Sequence, residues 1–135
     1  MLIPDFNKYS LALIKGNKIV FSSKSSGLRP LAECVKKYKS KIKDCILHDK
    51  IIGLAAARLV VYSEMINGVF TSIASKPAIE LLKNGNIKLS AQNIVDNILT
   101  KDKKNICPME LKAMKIEDNG KFFAEIKSKE KSIPL

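Results

Sequence analysis

The N-terminal third of the chain contains two β-rich runs, after which apolar residues recur at the spacing of a helix. The β-rich runs Tyr9–Ile14 and Lys18–Ser23 are joined by Lys15-Gly16-Asn17, a combination typical of a β-hairpin. After Pro30, apolar residues recur at helical spacing with lysines on the opposite face. The pattern predicts an antiparallel hairpin followed by an amphipathic surface helix that ends near Ser40.

The middle of the chain combines a very apolar segment with clear signals for helix ends. A helix from about Asp49 to Ser63 is apolar on nearly all sides, so we expect it to be buried. A buried strand is predicted at Val69–Ala74. The following helix should be capped by Ser75, carry Pro77 in its first turn and stop at a left-handed cap at Asn84-Gly85.

The C-terminal third has weaker periodicity. Its predicted elements are a short strand, two helices and an alternating segment, at Ile87–Leu89, Gln92–Leu99, Pro108–Ile116 and Phe122–Ile126. The order of elements indicates an α/β domain with a mixed sheet. We assign residues 1–118 to this domain and 119–135 to a C-terminal extension, whose charged tail we expect to be partly mobile.

The charge of the chain narrows its candidate partners. The formal net charge is +11, and nearly all of the excess is lysine, since arginine occurs only at Arg29 and Arg58. Nucleic-acid-binding proteins usually combine arginine with stacked aromatic side chains, but aromatic residues are only 6% of this chain. A solvated lysine surface is therefore favoured over polyanion binding. The densest basic stretch contains Lys36, Lys37, Lys39, Lys41 and Lys43.

Cysteine spacing and apolar runs indicate the compartment. Three widely spaced cysteines argue against a disulfide framework and favour a reducing environment. The longest apolar stretch, Ile51–Tyr62, is interrupted by Arg58 and is shorter than the roughly 20 residues that cross a bilayer. The first residues lack the features of a signal peptide. We expect a cytoplasmic protein without a membrane segment.

Candidate binding chemistry begins at the predicted start of the buried helix. Asp49 could orient a ribose or base, and Lys50 could hold a phosphate beside the helix dipole. The alternative makes Asp49 a simple N-cap and leaves Lys50 in solvent. Gly53 costs about 1 kcal/mol relative to alanine inside a helix. Close packing against the sheet is its favoured explanation, and access for a ligand is the second.

The cysteines give a weaker signal. Cys107 precedes Pro108 at a helix start, where a thiol can become a nucleophile, but Glu110 in the first turn opposes thiolate formation. Capping or ligand contact is therefore favoured over catalysis at Cys107. Cys45 and His48 have a spacing that suits two metal ligands, yet a lone pair carries little weight. We predict no metal site and no cofactor.

Four segments together resemble a known family. Asp-Lys-x-x-Gly-x-Ala-Ala-Ala at 49–57 is followed by Lys76-Pro77-Ala78 and by Cys107-Pro108-Met109-Glu110, while Gly27-Leu28-Arg29-Pro30-Leu31 follows the hairpin. Over Tyr9–Ile116 the chain resembles a family of short, uncharacterised prokaryotic proteins with a cytidine-deaminase-like fold. The resemblance implies a three-layer α/β/α sandwich and no established activity.

The resemblance also sets a limit on the chemistry. Catalytic deaminases hold zinc with a His or Cys near a Glu on one helix and with a cysteine pair on the next. This chain has no Cys-x-x-Cys, and Ala78, Ile79 and Glu80 stand where the cysteines should be. Zinc-dependent deamination is therefore not expected.

These observations favour one function and leave two others open. We expect a pocket at the starts of the helices near Asp49, Lys76 and Pro108 that binds a nucleotide or related anionic metabolite. Its predicted lining is Asp49, Lys50, Gly53, Lys76 and Cys107, and whether it is catalytic stays open. The alternative is lysine-mediated binding of nucleic acid or an acidic partner. A third interpretation is a zinc or thiol enzyme using Cys45, His48 and Cys107. Dimerisation is also open.

Overall fold

The computed structural model describes residues 2–100 and 102–132. These residues form six strands and five helices. The strands are β1 (Leu11–Lys15), β2 (Lys18–Ser23), β3 (Cys45–Asp49), β4 (Ile51–Ile52), β5 (Ile66–Ser75) and β6 (Lys88–Val95). The helices are α1 (Arg29–Tyr38), α2 (Leu54–Ser63), α3 (Lys76–Asn84), α4 (Pro108–Lys115) and α5 (Asn119–Ser132).

The six strands form one mixed sheet organised around β5. Strands β3 and β4 lie one after the other along one edge of β5, and β6 lies along its other edge, all parallel to it. Strand β1 is antiparallel to both β3 and β2. Between β3 and β4, the carbonyl of Lys50 accepts hydrogen bonds from the backbone N–H groups of Ser72 and Ile73, both at 3.2 Å. These bonds keep the sheet continuous across the break.

The predicted hairpin is confirmed as β1 and β2. Gly16 and Asn17 have φ values of 56° and 64°. Two left-handed residues in succession form the turn whose twist matches that of antiparallel strands. Glycine and asparagine tolerate this conformation better than other residues do.

Helices α1 and α3 are also confirmed, with one correction. Pro30 lies in the first turn of α1, and the hydroxyl of Ser75 accepts a hydrogen bond from the N–H of Ala78 at 3.3 Å at the start of α3. The left-handed residue after α3 is Asn86, with φ of 59°, whereas Gly85 has φ of −87°.

Three predictions of local structure are wrong. Asp49 lies at the end of β3, and α2 begins only at Leu54. The predicted helix at Gln92–Leu99 begins inside β6, because the ten-residue β5 offers a long edge with which this segment pairs. The alternating segment Phe122–Ile126 lies in α5, where Phe122 and Ile126 are spaced one helical turn apart.

The hydrophobic core is divided by the sheet. Alternation along β1 places Leu11 and Leu13 in the main core, together with buried residues of the helices. Ala12 and Ile14 belong to a smaller cluster with Tyr9. Helices α1, α2 and α3 contact the strands, and α4 and α5 contact α2. The fold is thus a mixed α/β fold, and its predicted division into three α/β/α layers stays a prediction.

The C-terminal helix contributes to the same core. Phe122 is fully buried, and Ile126 is 3% exposed. The Phe123 ring lies 5.1 Å from the ring of Tyr62 on α2, measured between centroids. The predicted boundary at residue 118 falls in the link between α4 and α5. The final residues 133–135 lie outside the described residues, so the predicted mobility of the tail stays a prediction.

Within the described ranges, none of the helices combines the length and apolar character needed to span a membrane.

We predict that Phe122→Ala lowers the free energy of unfolding by about 3–5 kcal/mol, because it opens a cavity in a packed core. Phe122→Leu should cost less, since it retains most of the side-chain volume. The exposed Lys121 provides the control, and Lys121→Ala should change stability by less than about 0.5 kcal/mol. Urea denaturation followed by circular dichroism measures all three. A loss below about 1 kcal/mol for Phe122→Ala would contradict the placement of α5 in the core.

Candidate functional site

A pocket of about 280 Å³ lies where three of the segments that carry the family resemblance meet. Residues from the loop before α1, from the β3–α2 connection and from the start of α4 form its walls. Four of the five residues predicted to bind a ligand line this pocket, namely Asp49, Lys50, Gly53 and Cys107. The sequence motifs therefore converge on one cavity, although they are far apart along the chain.

Lys76 is the predicted site residue that does not line this pocket. Its Nζ lies 2.9 Å from Asp96 Oδ1, and both side chains are exposed. The register explains this contact, because Ser75 pairs with Val95 and the residues that follow each of them are therefore neighbours. Lys76 is placed in a surface ion pair.

Asp49 is the acidic group of the pocket. Alternation along β3 directs its side chain to the same face as Cys45 and Leu47. Burial raises the pKa of its carboxyl well above the ordinary value of 3.8, and the backbone N–H groups of Ile51 and Lys50 oppose this effect. No ion pair within the described part of the chain includes Asp49. The pocket thus contains a half-buried acid that has no cationic side-chain partner among the described residues.

Glu110 caps the N-terminus of α2 from a different helix. Its two carboxylate oxygens accept hydrogen bonds from the N–H groups of Leu54 at 2.9 Å and Ala55 at 2.7 Å. These are two of the backbone donors that a helix leaves without partners at its start. Burial raises the pKa of Glu110, while the two N–H groups act in the opposite direction. The alternative in which Asp49 is a simple N-cap of this helix is therefore wrong.

The close approach of Glu110 explains Gly53. A Cβ atom on Gly53 would lie 1.6 Å from Glu110 Oε1 and 2.6 Å from Ile98 Cγ1. Its φ of −97° is accessible to any residue, so the requirement for glycine is steric. Glycine is therefore required by contact with the Glu110 carboxylate, and not by packing against the sheet, which the sequence analysis favoured. Nothing in the sequence relates residue 53 to residue 110.

Arg58 holds the other end of α4. Its guanidinium donates hydrogen bonds to the carbonyls of Ala113 at 2.8 Å and Glu117 at 2.9 Å, and to Asn119 Oδ1 at 3.0 Å. It also donates to the carbonyl of Ile116. The fork of donors in arginine suits such a set of acceptors. Sequence reasoning missed this role, although a single arginine inside an apolar helix was a signal for it. Together with Glu110, Arg58 fixes α4 as a wall of the pocket.

Cys107 is a partly exposed free thiol at the N-cap of α4. Its backbone N–H donates to the carbonyl of Ile98 at 3.0 Å, and its side chain makes no capping hydrogen bond. Capping of α4 by this thiol is therefore not observed. Contact with a ligand and catalysis at Cys107 both stay predictions.

Cys45 and His48 do not form a metal site. They lie three residues apart on β3, so their side chains point to opposite faces of the sheet. Cys45 is in the main core, while His48 Nδ1 lies 2.7 Å from the hydroxyl of Tyr9. Across residues 2–100 and 102–132, no group of three or more His, Cys, Asp or Glu side chains could hold a metal ion. The zinc-enzyme interpretation based on this pair is wrong.

We predict that Gly53→Ala and Glu110→Ala are strongly non-additive. Gly53→Ala should cost about 1–3 kcal/mol through overpacking, and Glu110→Ala about 1–3 kcal/mol by leaving two donors without partners. In the double variant the added methyl group no longer meets the carboxylate. The double variant should therefore be more stable, by about 1 kcal/mol or more, than the sum of the two single losses predicts. Urea midpoints of the four proteins measure it, and simple additivity would contradict the steric explanation.

We predict that Asp49→Asn stabilises the protein near neutral pH. Because the folded state raises the pKa of Asp49, it binds this proton more tightly than the unfolded chain does. Stability from this group is thus lost as the pH rises from about 3.8 through the raised pKa. Asp49→Asn should therefore unfold at a higher urea concentration than wild type near neutral pH.

The test is urea unfolding of wild type and Asp49→Asn across the acidic to neutral range. The advantage of the variant should disappear below the ordinary pKa of Asp49. Asp96→Asn is the control of opposite sign, because its hydrogen bond with Lys76 lowers the pKa of Asp96. A destabilised Asp49→Asn at neutral pH would show that the carboxylate is satisfied within the protein.

Comparison with known proteins agrees with this architecture. A crystal structure of a DUF1893 family protein from Thermotoga maritima, at 2.70 Å resolution, is similar with a TM-score of 0.80 and 27% sequence identity. The similarity covers 91% of this chain and 82% of that chain. None of the curated protein sequences matches significantly. The family model described as TM1506, domain of unknown function (DUF1893), matches residues 5–129. The chain therefore belongs to the DUF1893 family.

Proposed function

We propose that the pocket around Asp49 binds a nucleotide or a closely related anionic metabolite. Its volume of about 280 Å³ is near the lower end of the range for small-molecule sites. The proposal includes a cytoplasmic location and leaves dimerisation open. It assigns no reaction, and Cys107 is the candidate nucleophile within the pocket.

The observation that carries the proposal is the half-buried carboxyl of Asp49, which lines the pocket and whose pKa is raised by burial. Burying an acid without a cationic partner is costly, and such groups are concentrated at functional sites. A base or ribose offers N–H and O–H donors that would satisfy this carboxyl. We therefore assign the donor-rich part of the ligand to Asp49.

The anionic part of the ligand has a different location from the one that the sequence suggested. The N–H groups of Leu54 and Ala55 at the start of α2 already donate to Glu110, so they are occupied. Lys50 is exposed and lines the same pocket. We assign the phosphate or other anionic group to Lys50, with the base or ribose deeper in the pocket.

The same proposal includes a cytidine-deaminase-like fold with three α/β/α layers. Strand β1 runs antiparallel beside β3, whereas β3, β5 and β6 are parallel, with α2 and α3 in the connections between them. This arrangement supports the cytidine-deaminase-like, three-layer fold that the motifs imply. Ala78 lies in the first turn of α3, where the resemblance places a cysteine ligand of zinc, and alanine cannot bind a metal. Zinc-dependent deamination is therefore not proposed.

We predict that mononucleotides raise the melting temperature of wild type more than the matching nucleosides do. Ligand bound only to the folded state stabilises it by about 2.7 kcal/mol when its concentration is 100 times its dissociation constant. In Lys50→Ala the nucleotide should lose its advantage over the nucleoside. Asp49→Asn should lose the response to both. Lys76→Ala is the matched control, because this lysine lies outside the pocket, and it should behave as wild type.

Two results would overturn the proposal. One is the absence of any shift in a sample that circular dichroism shows to be folded. The other is an equal loss in Lys50→Ala and Lys76→Ala, which would indicate a general effect of surface charge. A shift caused by polyanions alone, falling steeply with salt, would favour the lysine-mediated alternative instead.

A further inference from the structure

A second cavity, of about 350 Å³, lies against the face of β3 opposite to that of Asp49. Ile14 and Ile46 provide apolar walls, while Asn17 and Asp44 contribute polar groups. His48 also lines this cavity and is only 1% exposed to solvent. We call it the His48 cavity.

The contact between Tyr9 and His48 Nδ1 favours one tautomer of His48. The N–H of Asp5 donates to the hydroxyl oxygen of Tyr9 at 3.3 Å, and that oxygen lies 2.7 Å from His48 Nδ1. If Tyr9 donates its own proton to Nδ1, both polar groups of this pair are satisfied. The neutral imidazole then carries its proton on Nε2. Burial lowers the pKa of His48, which favours the neutral ring.

The Nε2 atom of His48 has no hydrogen-bond partner among the described residues. Within the described part of the chain, His48 makes its hydrogen bond through Nδ1, and none involves Nε2. The ring is held by Tyr9, which stacks on it at 6.1 Å, and by Phe70, which meets it edge-on at 5.5 Å, both measured between centroids. A buried donor that lacks an acceptor is rare and costly. A fixed donor of this kind beside a cavity is a feature of binding sites.

We propose that the His48 cavity is a second binding site, for a small neutral molecule that carries both an acceptor and a donor, such as a nucleobase or a primary amide. Its carbonyl or ring nitrogen accepts the hydrogen bond from His48 Nε2–H. Its N–H donates to the carboxylate of Asp44. Its apolar body lies between Ile14 and Ile46. The negative charge of Asp44 disfavours carboxylate ligands, so a neutral molecule is selected.

This proposal is independent of the function proposed for the first pocket. The two cavities lie on opposite faces of β3 and share no lining residue. Ligands of either site can therefore be tested separately in the same protein.

His48 is the only histidine of the chain, so one spectroscopic label reports on this site. In protein labelled with 15N-histidine, long-range 1H–15N spectra distinguish Nδ1 from Nε2. The free protein should show the Nε2–H tautomer. Titration with cytosine or nicotinamide should shift the Nε2 resonance saturably, whereas acetate should not shift it.

Two variants make the test specific. Asp44→Asn removes the charge at an exposed position and keeps a residue that tolerates the φ of 58° found there. It should weaken cytosine binding about tenfold, as expected for loss of a hydrogen bond to a charged group. Asp49→Asn, in the other pocket, should leave the titration unchanged.

Three results would overturn the proposal. The first is an Nδ1–H tautomer in the free protein. The second is an Nε2 resonance that none of the probes shifts, which would mean that water alone satisfies this donor. The third is equal cytosine affinity in wild type and Asp44→Asn.

Discussion

The attachment of both ends of α4 to α2 is the constraint on which the candidate site depends. At the start of α4 the carboxylate of Glu110 replaces the missing cap of α2, and at the other end of α4 the guanidinium of Arg58 donates to the carbonyls of Ala113 and Glu117. Each contact joins a buried charge to backbone groups that would otherwise lack partners. Because the two contacts lie about one turn apart on α2, α4 can neither slide nor tilt without breaking one of them.

This attachment determines the character of the pocket. Glu110 occupies the anion-binding position that a helix start usually offers, so the positive end of α2 is neutralised from within the protein. The remaining charged groups of the pocket are Asp49, which is half-buried, and Lys50, which is exposed to solvent. Under the function proposed above, the donors of the ligand would face Asp49 and its negative charge would face Lys50. The glycine at position 53 is a consequence of the same contact.

The sequence predicted the elements whose signals are local and missed those that depend on distant partners. The turn at Gly16-Asn17 and the cap at Ser75 need only neighbouring residues, and both are observed. The extension of β6 depends on the length of β5, and the role of Glu110 depends on a helix 55 residues away along the chain. Four pocket residues were predicted from motifs that the sequence analysis assigned to helix starts. The surface ion pair of Lys76 could not be predicted in this way, because it follows from strand register.

The burial of Phe122 has a consequence for the order in which the protein can be completed. Translation produces the six strands and helices α1 to α4 first, and α5 is the last of the described elements. Until then the surface of α1 and α2 that receives this ring is uncovered and apolar. A growing chain that has not yet reached α5 is therefore a candidate for transient self-association or chaperone contact on the ribosome. Synthesis of α5 removes that surface from water.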